Sequence, residues 1–127
     1  MTLNTLLLIF TGSGLGGLLR YGVSNGVHSI LSRNFPYGTL IVNVSGSFLM
    51  GFLFAVLLER FNGTGTMLRA FLLIGLLGGY TTFSSFSIET INLVEKGKIL
   101  SAFLNVFLST FLCLSTAWVG LIFGKQL

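Results

Sequence analysis

Four long apolar runs, parted by short polar segments, occupy nearly the whole chain of 127 residues. A helix needs about 20 mostly apolar residues to cross the hydrocarbon core of a bilayer. Charges and helix breakers divide this sequence into four such runs, at residues 3–31, 37–58, 67–94 and 99–123. The connections between them, at 32–36, 59–66 and 95–98, are short, and Asn34-Phe35-Pro36 is a turn signal. Only 8% of the residues are charged, where a soluble domain carries roughly a quarter. The expected fold class is an all-α membrane protein, with one transmembrane domain of four helices over residues 1–127, and any function is expected inside the bilayer.

The same pattern excludes several functions. The net charge is +4, but the basic residues are scattered between apolar runs and form no patch, so nucleic acid is not an expected partner. A single cysteine, Cys113, cannot form an intrachain disulfide, and no Cys/His cluster has metal-ligand spacing. Met1 to Phe10 is apolar without a basic lead or a convincing cleavage site, and reads as a retained helix rather than a signal peptide.

Four spans put both termini and the second connection on one side of the membrane. On that side stand Arg60, Arg69 and Lys125; opposite stand Arg33, Lys96 and Lys98, with Arg20 too deep to assign. Orientation normally follows an excess of Lys and Arg in cytoplasmic loops, and here there is none. Dual topology follows as a hypothesis, and with it an antiparallel homodimer whose two-fold axis lies in the membrane plane. The alternative is a weak bias read from flanking context or lipid.

Polar residues inside the spans repeat every four positions: Thr39, Asn43 and Ser47 in the second, Ser101, Asn105, Ser109 and Cys113 in the fourth. That spacing stacks them on one helix face. Such a stripe either bonds a neighbouring helix or lines a watery path, and the pairs Gly12/Gly16, Ser47/Gly51 and Gly75/Gly79 favour close packing. Asn43 is harder to place as packing alone, because an unpaired buried amide costs a few kcal/mol. In the third span, Gly78-Gly79 runs into Tyr80-Thr81-Thr82-Phe83-Ser84-Ser85-Phe86-Ser87. Glycines followed by hydroxyls point to an interrupted helix, whose carbonyls at Gly78 and Thr81 suit a hard cation; a flexible kink is the equal alternative. Phe83 and Phe86 share a face on the resumed helix, and their ring edges are electropositive, although packing is the commoner use of such a pair. Glu89 is the one carboxylate within a span, either functional or a helix-end cap. Arg20 either reaches the headgroups or draws anions inward. His28 reads as an interfacial polar residue, and Gly12-x-Gly14-x-Gly16-Gly17, with no strand before it, as helix packing rather than a nucleotide loop.

Three segments follow in order: Gly16-Gly17-Leu18-Leu19-Arg20-Tyr21; Gly38-Thr39-Leu40-Ile41-Val42-Asn43-Val44-Ser45-Gly46-Ser47; and Gly78-Gly79-Tyr80-Thr81-Thr82-Phe83-Ser84-Ser85-Phe86-Ser87-Ile88-Glu89. Within a four-span chain of this length they resemble the small dual-topology fluoride channels of bacteria, the Fluc type of the CrcB family. The resemblance implies an antiparallel homodimer in the bacterial inner membrane, with two pores that let fluoride leave passively. It implies a pore lined by Asn43, Thr39, Phe83, Phe86, Ser84, Asn105 and Ser109, with Arg20 in the vestibule. It also implies a structural Na+ on the dimer axis, held by the backbone carbonyls of Gly78 and Thr81 from both subunits. Where Asn105 falls, the family often has a tyrosine or another polar residue. The runner-up is a small dual-topology proton-coupled drug exporter, which needs a membrane carboxylate early in the chain; the first span has none. A third reading is an assembly protein whose polar stripes are only glue.

Overall fold

The computed structural model of the protein describes residues 1–60 and 65–127, with only the backbone of Glu59 and Arg60, so most of the connection expected at 59–66 lies outside the described residues. Helix α1 runs over Leu3–Ile30 and α2 over Tyr37–Arg60. The third span, Gly65–Glu95, is composite: α3 (Gly65–Leu68), a π-helical stretch (Arg69–Leu77), α4 (Gly78–Tyr80) and α5 (Phe83–Glu95). Helix α6 runs over Ile99–Gln126. Four of these stretches are long and apolar enough to cross a membrane.

Local chemistry sets the ends. The Thr2 hydroxyl caps α1 by accepting from the Thr5 N–H at 3.2 Å. Pro36 precedes α2, and His28 Nε2 accepts from the Gly38 N–H at 3.1 Å, satisfying one of the donors that a helix N-terminus leaves open. Between α5 and α6 the chain turns at Gly97, whose φ of +77° suits glycine. There Lys98 N–H bonds the Leu93 carbonyl and Gly97 N–H the Val94 carbonyl, closing the open end of α5.

α2 packs mainly on α6, and α1 on the first half of the third span. Small residues let both pairs approach closely. A Cβ on Gly12 would meet the Phe71 carbonyl and Gly75 Cα, one on Gly51 the Ala117 carbonyl, and one on Gly120 the Phe48 carbonyl. Between the pairs lies a small core of Val42, Leu57, Leu73, Leu77 and Tyr80. Many large apolar side chains point outward, among them Leu18, Phe103, Leu114 and Trp118. In water that surface would be untenable; in lipid it is the ordinary solvent-facing surface.

The helix interruption read in the third span is present, but two residues beyond the glycines. Gly78 remains helical (φ −62°, ψ −37°), whereas Thr81 (φ −83°, ψ 153°) and Thr82 (φ −150°, ψ 123°) are extended. The glycines serve the contact with α1 instead: a Cβ on Gly79 would lie 2.5 Å from the Ser13 carbonyl oxygen. The threonines serve the interruption. Thr81 Oγ1 donates to the Leu77 carbonyl at 2.9 Å, ending α4, and Thr82 Oγ1 accepts from the Ser85 N–H at 3.2 Å, starting α5.

Candidate functional site

Extended backbone in the middle of a membrane span has lost its helical hydrogen bonds, and in lipid each must be replaced by the protein. Asn43, two turns into α2, does this at Thr82. Its Nδ2 donates to the Thr82 carbonyl at 2.9 Å, and its Oδ1 accepts from the Thr82 N–H at 2.8 Å. The amide therefore pairs with the extended residue as a neighbouring strand would, and keeps one N–H and one lone pair for other partners. Arg20 attends the other side: its Nε donates to the Gly79 carbonyl at 3.3 Å, a cation at the negative end of a helical segment. Two carbonyls lose their usual donors to side chains. The Thr82 N–H, which an unbroken helix would direct to Gly78, goes to Asn43, and the Ser85 N–H, which would go to Thr81, is taken by the Thr82 hydroxyl.

A cavity of about 400 Å³ opens at this interruption. Asn43 and Ser47 face it from α2, Thr81 and Thr82 from the extended backbone, Phe83 and Phe86 from α5, and Ser109, Thr110 and Cys113 from α6. Among the described residues, none that lines it is charged. The two phenyl rings lie 5.4 Å apart, inclined at 47°, and Phe83 is 77% exposed in the single chain.

A second cavity, of about 280 Å³, lies on the other side of Thr82. Arg20, Ser24 and Asn25 face it from α1, Thr39 from α2, and Ser85 and Glu89 from α5. The Thr39 hydroxyl donates to Glu89 Oε2 at 3.0 Å. A polar chamber holding Arg20 and Glu89, and an uncharged chamber with aromatic edges, thus adjoin at the one extended stretch of the third span. Chemically, the second suits passage of a small anion without a fixed countercharge that would trap it.

Comparison with known proteins bears on what passes. Residues 7–121 match the family described as CrcB-like protein, Camphor Resistance (CrcB). The chain belongs to the CrcB family. A fluoride-specific ion channel FluC of Coxiella burnetii (strain Dugway 5J108-111) is 58% identical over 121 residues, 95% of this chain and 98% of that protein. A protein of the same name from Flavobacterium psychrophilum is 43% identical, covering 98% of this chain and all of the relative (100%). One from Methylococcus capsulatus is 50% identical over 97% of this chain, which spans 54% of that longer relative. The resemblance carried by the Gly16, Gly38 and Gly78 segments is confirmed, and this CrcB chain, with four span-length apolar helices, is a multi-pass membrane protein.

The fold places the residues singled out from sequence in three settings. Asn43, Phe83, Phe86, Ser109 and Thr81 share the uncharged cavity. Thr39 and Arg20 share the polar one. Asn105, Ser84 and Gly78 line neither. Asn105 is only 2% exposed and joins α6 to α5, its Nδ2 donating to Thr90 Oγ1 at 2.9 Å. Ser84 is exposed, its hydroxyl 3.3 Å from that of Thr82, and Gly78 is exposed beside the interruption. Reasoning from sequence missed Thr90, and missed Arg20 as a partner of a backbone carbonyl, since nothing in a one-dimensional pattern pairs residue 20 with residue 79. The Glu89–Thr39 bond had a partial signal, because both residues are polar in spans that must pack together.

Proposed function

We propose that this protein conducts fluoride passively down its electrochemical gradient, relieving accumulation of the ion inside a bacterial cell. The observation that carries the reading is the uncharged cavity at the interruption of the third span, lined by one amide, several hydroxyls and two phenyl rings. Fluoride is small and strongly hydrated, so a pore must replace its water with several close donors. The second N–H of Asn43 and the hydroxyl of Ser47 supply donors, and the edges of Phe83 and Phe86 supply weak positive electrostatics. Among the described residues no fixed cation faces this cavity, which matches the need for binding weak enough to permit exit. Arg20 brings a positive charge to the adjoining cavity, where Glu89 brings a carboxylate; in this reading the arginine draws the anion inward. The relatives named as fluoride-specific ion channels support the choice of ion.

The working unit in this reading is an antiparallel homodimer of dual topology in the inner membrane, with two pores. The balance of Lys and Arg across the spans supports it. So does the exposure, at mid-membrane, of Phe83, Ser84 and Gly78, which a second copy would cover. A Na+ fits the site. Gly78 and Thr81 have backbone oxygens whose helical donors are diverted, and neutral carbonyls are the ligands that hard cations take. Contributed by both copies, they would hold the ion, whose charge would bind the two interrupted spans together.

The test is purified protein in liposomes. Fluoride efflux that discharges a membrane potential supports the channel; coupled exchange of protons for an organic cation, or no flux at all, would reject it. Tags on both termini, probed for access from each side of the membrane, should report both orientations in equal amounts.

A further inference from the structure

A third cavity, of about 220 Å³, lies at the loop end of the bundle, and Glu89 is the one residue it shares with the polar chamber. Three segments bring side chains to it: His28 from the end of α1, Arg33 and Asn34 from the first connection, and Lys96 and Lys98 from the turn between α5 and α6. Arg33, Lys96 and Lys98 are exposed. Flexible cations gathered around one hollow repel one another, so the arrangement is stable with an anion between them. The volume is several times the ~30 Å³ share of one water, more than a monatomic ion requires.

Where His28 and Glu89 line the cavity, each carries a buried polar atom that has no partner among the described residues, His28 Nδ1 and Glu89 Oε1. Because His28 Nε2 accepts from the Gly38 N–H, the proton of the neutral ring sits on Nδ1, making it an unused donor. Glu89 Oε2 is engaged by Thr39, which leaves Oε1 an unused acceptor. A group that fills this part must accept from the ring and donate to the carboxylate. A hydroxyl does both; a phosphodiester oxygen cannot donate. Beside the cations, Ile30 and Leu31 on one side and Ile99 and Leu100 on the other are exposed and apolar, a surface for acyl chains at the membrane boundary.

We infer that this cavity binds the glycerol phosphodiester headgroup of an anionic phospholipid, phosphatidylglycerol in kind, with its phosphate among Arg33, Lys96 and Lys98 and a glycerol hydroxyl between His28 Nδ1 and Glu89 Oε1. Basic pockets between membrane helices take anionic headgroups; the orphaned pair adds selectivity for one that carries hydroxyls. The test uses delipidated full-length protein in detergent, titrated with single lipids and read by native mass spectrometry. Wild-type protein should retain phosphatidylglycerol about tenfold more strongly than phosphatidylmethanol, which has the same phosphodiester charge and no hydroxyl, because a hydrogen bond to a carboxylate is lost. Replacing Arg33, Lys96 and Lys98 together by Gln should remove most binding of both lipids. Equal retention of the two lipids by wild-type protein would overturn the inference without requiring any variant to fold. Retention that survives the triple substitution would also overturn it, as would displacement of the lipid by soluble glycerol phosphate at equal concentration, since the acyl contacts would then contribute nothing.

Discussion

Replacing Asn43 by Asp separates the two tasks that the fold gives this residue. The carboxylate keeps an acceptor for the Thr82 N–H, now 2.8 Å from Oδ1, but loses the donor that reaches the Thr82 carbonyl at 2.9 Å. Two oxygens then face each other, and a negative charge borders the cavity. For an anion about 5 Å away at an effective dielectric of about 20, the repulsion is about 3 kcal/mol, more than a hundredfold in occupancy. Asn43→Ala removes both bonds to Thr82 and adds no charge; with partial replacement by water it should cost about 2 kcal/mol of stability. Currents in planar bilayers are the assay, because neutral hydrogen fluoride carries none. Asn43→Asp should suppress fluoride current more than a hundredfold at neutral pH, well below Asn43→Ala. Acidification supplies the missing donor: the protonated carboxyl gives its O–H to the Thr82 carbonyl and carries no charge. As pH falls, that variant should therefore gain both current and thermal stability relative to wild type. Wild-type current in Asn43→Asp at neutral pH would refute the placement of this residue on the anion path.

Phe83→Ile and Phe86→Ile keep the apolar volume but remove the ring edges, worth about 1 kcal/mol per contact, so each should lower fluoride efflux from liposomes about fivefold or more while the assembly elutes unchanged on gel filtration. Arg20→Lys keeps the charge and loses the Nε bond to the Gly79 carbonyl; a loss of about 1 kcal/mol should appear as a lower melting temperature, with a smaller effect on flux than Arg20→Gln. Gly79→Ala drives a Cβ into the Ser13 backbone and should destabilise by about 1–3 kcal/mol in thermal unfolding, or more if the helices cannot separate. Asn105→Ala deprives the Thr90 hydroxyl of its 2.9 Å donor in a buried contact, at a cost of about 1–3 kcal/mol in the same measurement; a fall in flux without any fall in stability would place Asn105 on the pore wall instead.

The spans were legible because a bilayer imposes a single length and polarity on whatever crosses it. The pairs Gly12/Gly16 and Gly75/Gly79 were legible as contacts for a similar reason: where lipid offers no hydrophobic drive between helices, close backbone approach needs small residues at regular spacing. Composition and period along the chain thus determined a four-span helical protein with two polar helix faces, and left an interrupted third span and a flexible kink as equal alternatives. They did not place the interruption to the residue, because glycine marks both a weak helix and a tight contact, and only packing against Ser13 shows which use applies at Gly79. Nor did they distinguish the two kinds of polar residue on one stripe of α6. Ser109 lines a cavity while Asn105, one turn earlier, is bonded to Thr90 of α5, a difference set by how α5 packs on α6. The pairings of Asn43 with Thr82 and Arg20 with Gly79 belong wholly to the tertiary structure. A hydrogen bond is directional and short-ranged, so its partner depends on how separate helices meet in space, which no spacing along a single helix encodes.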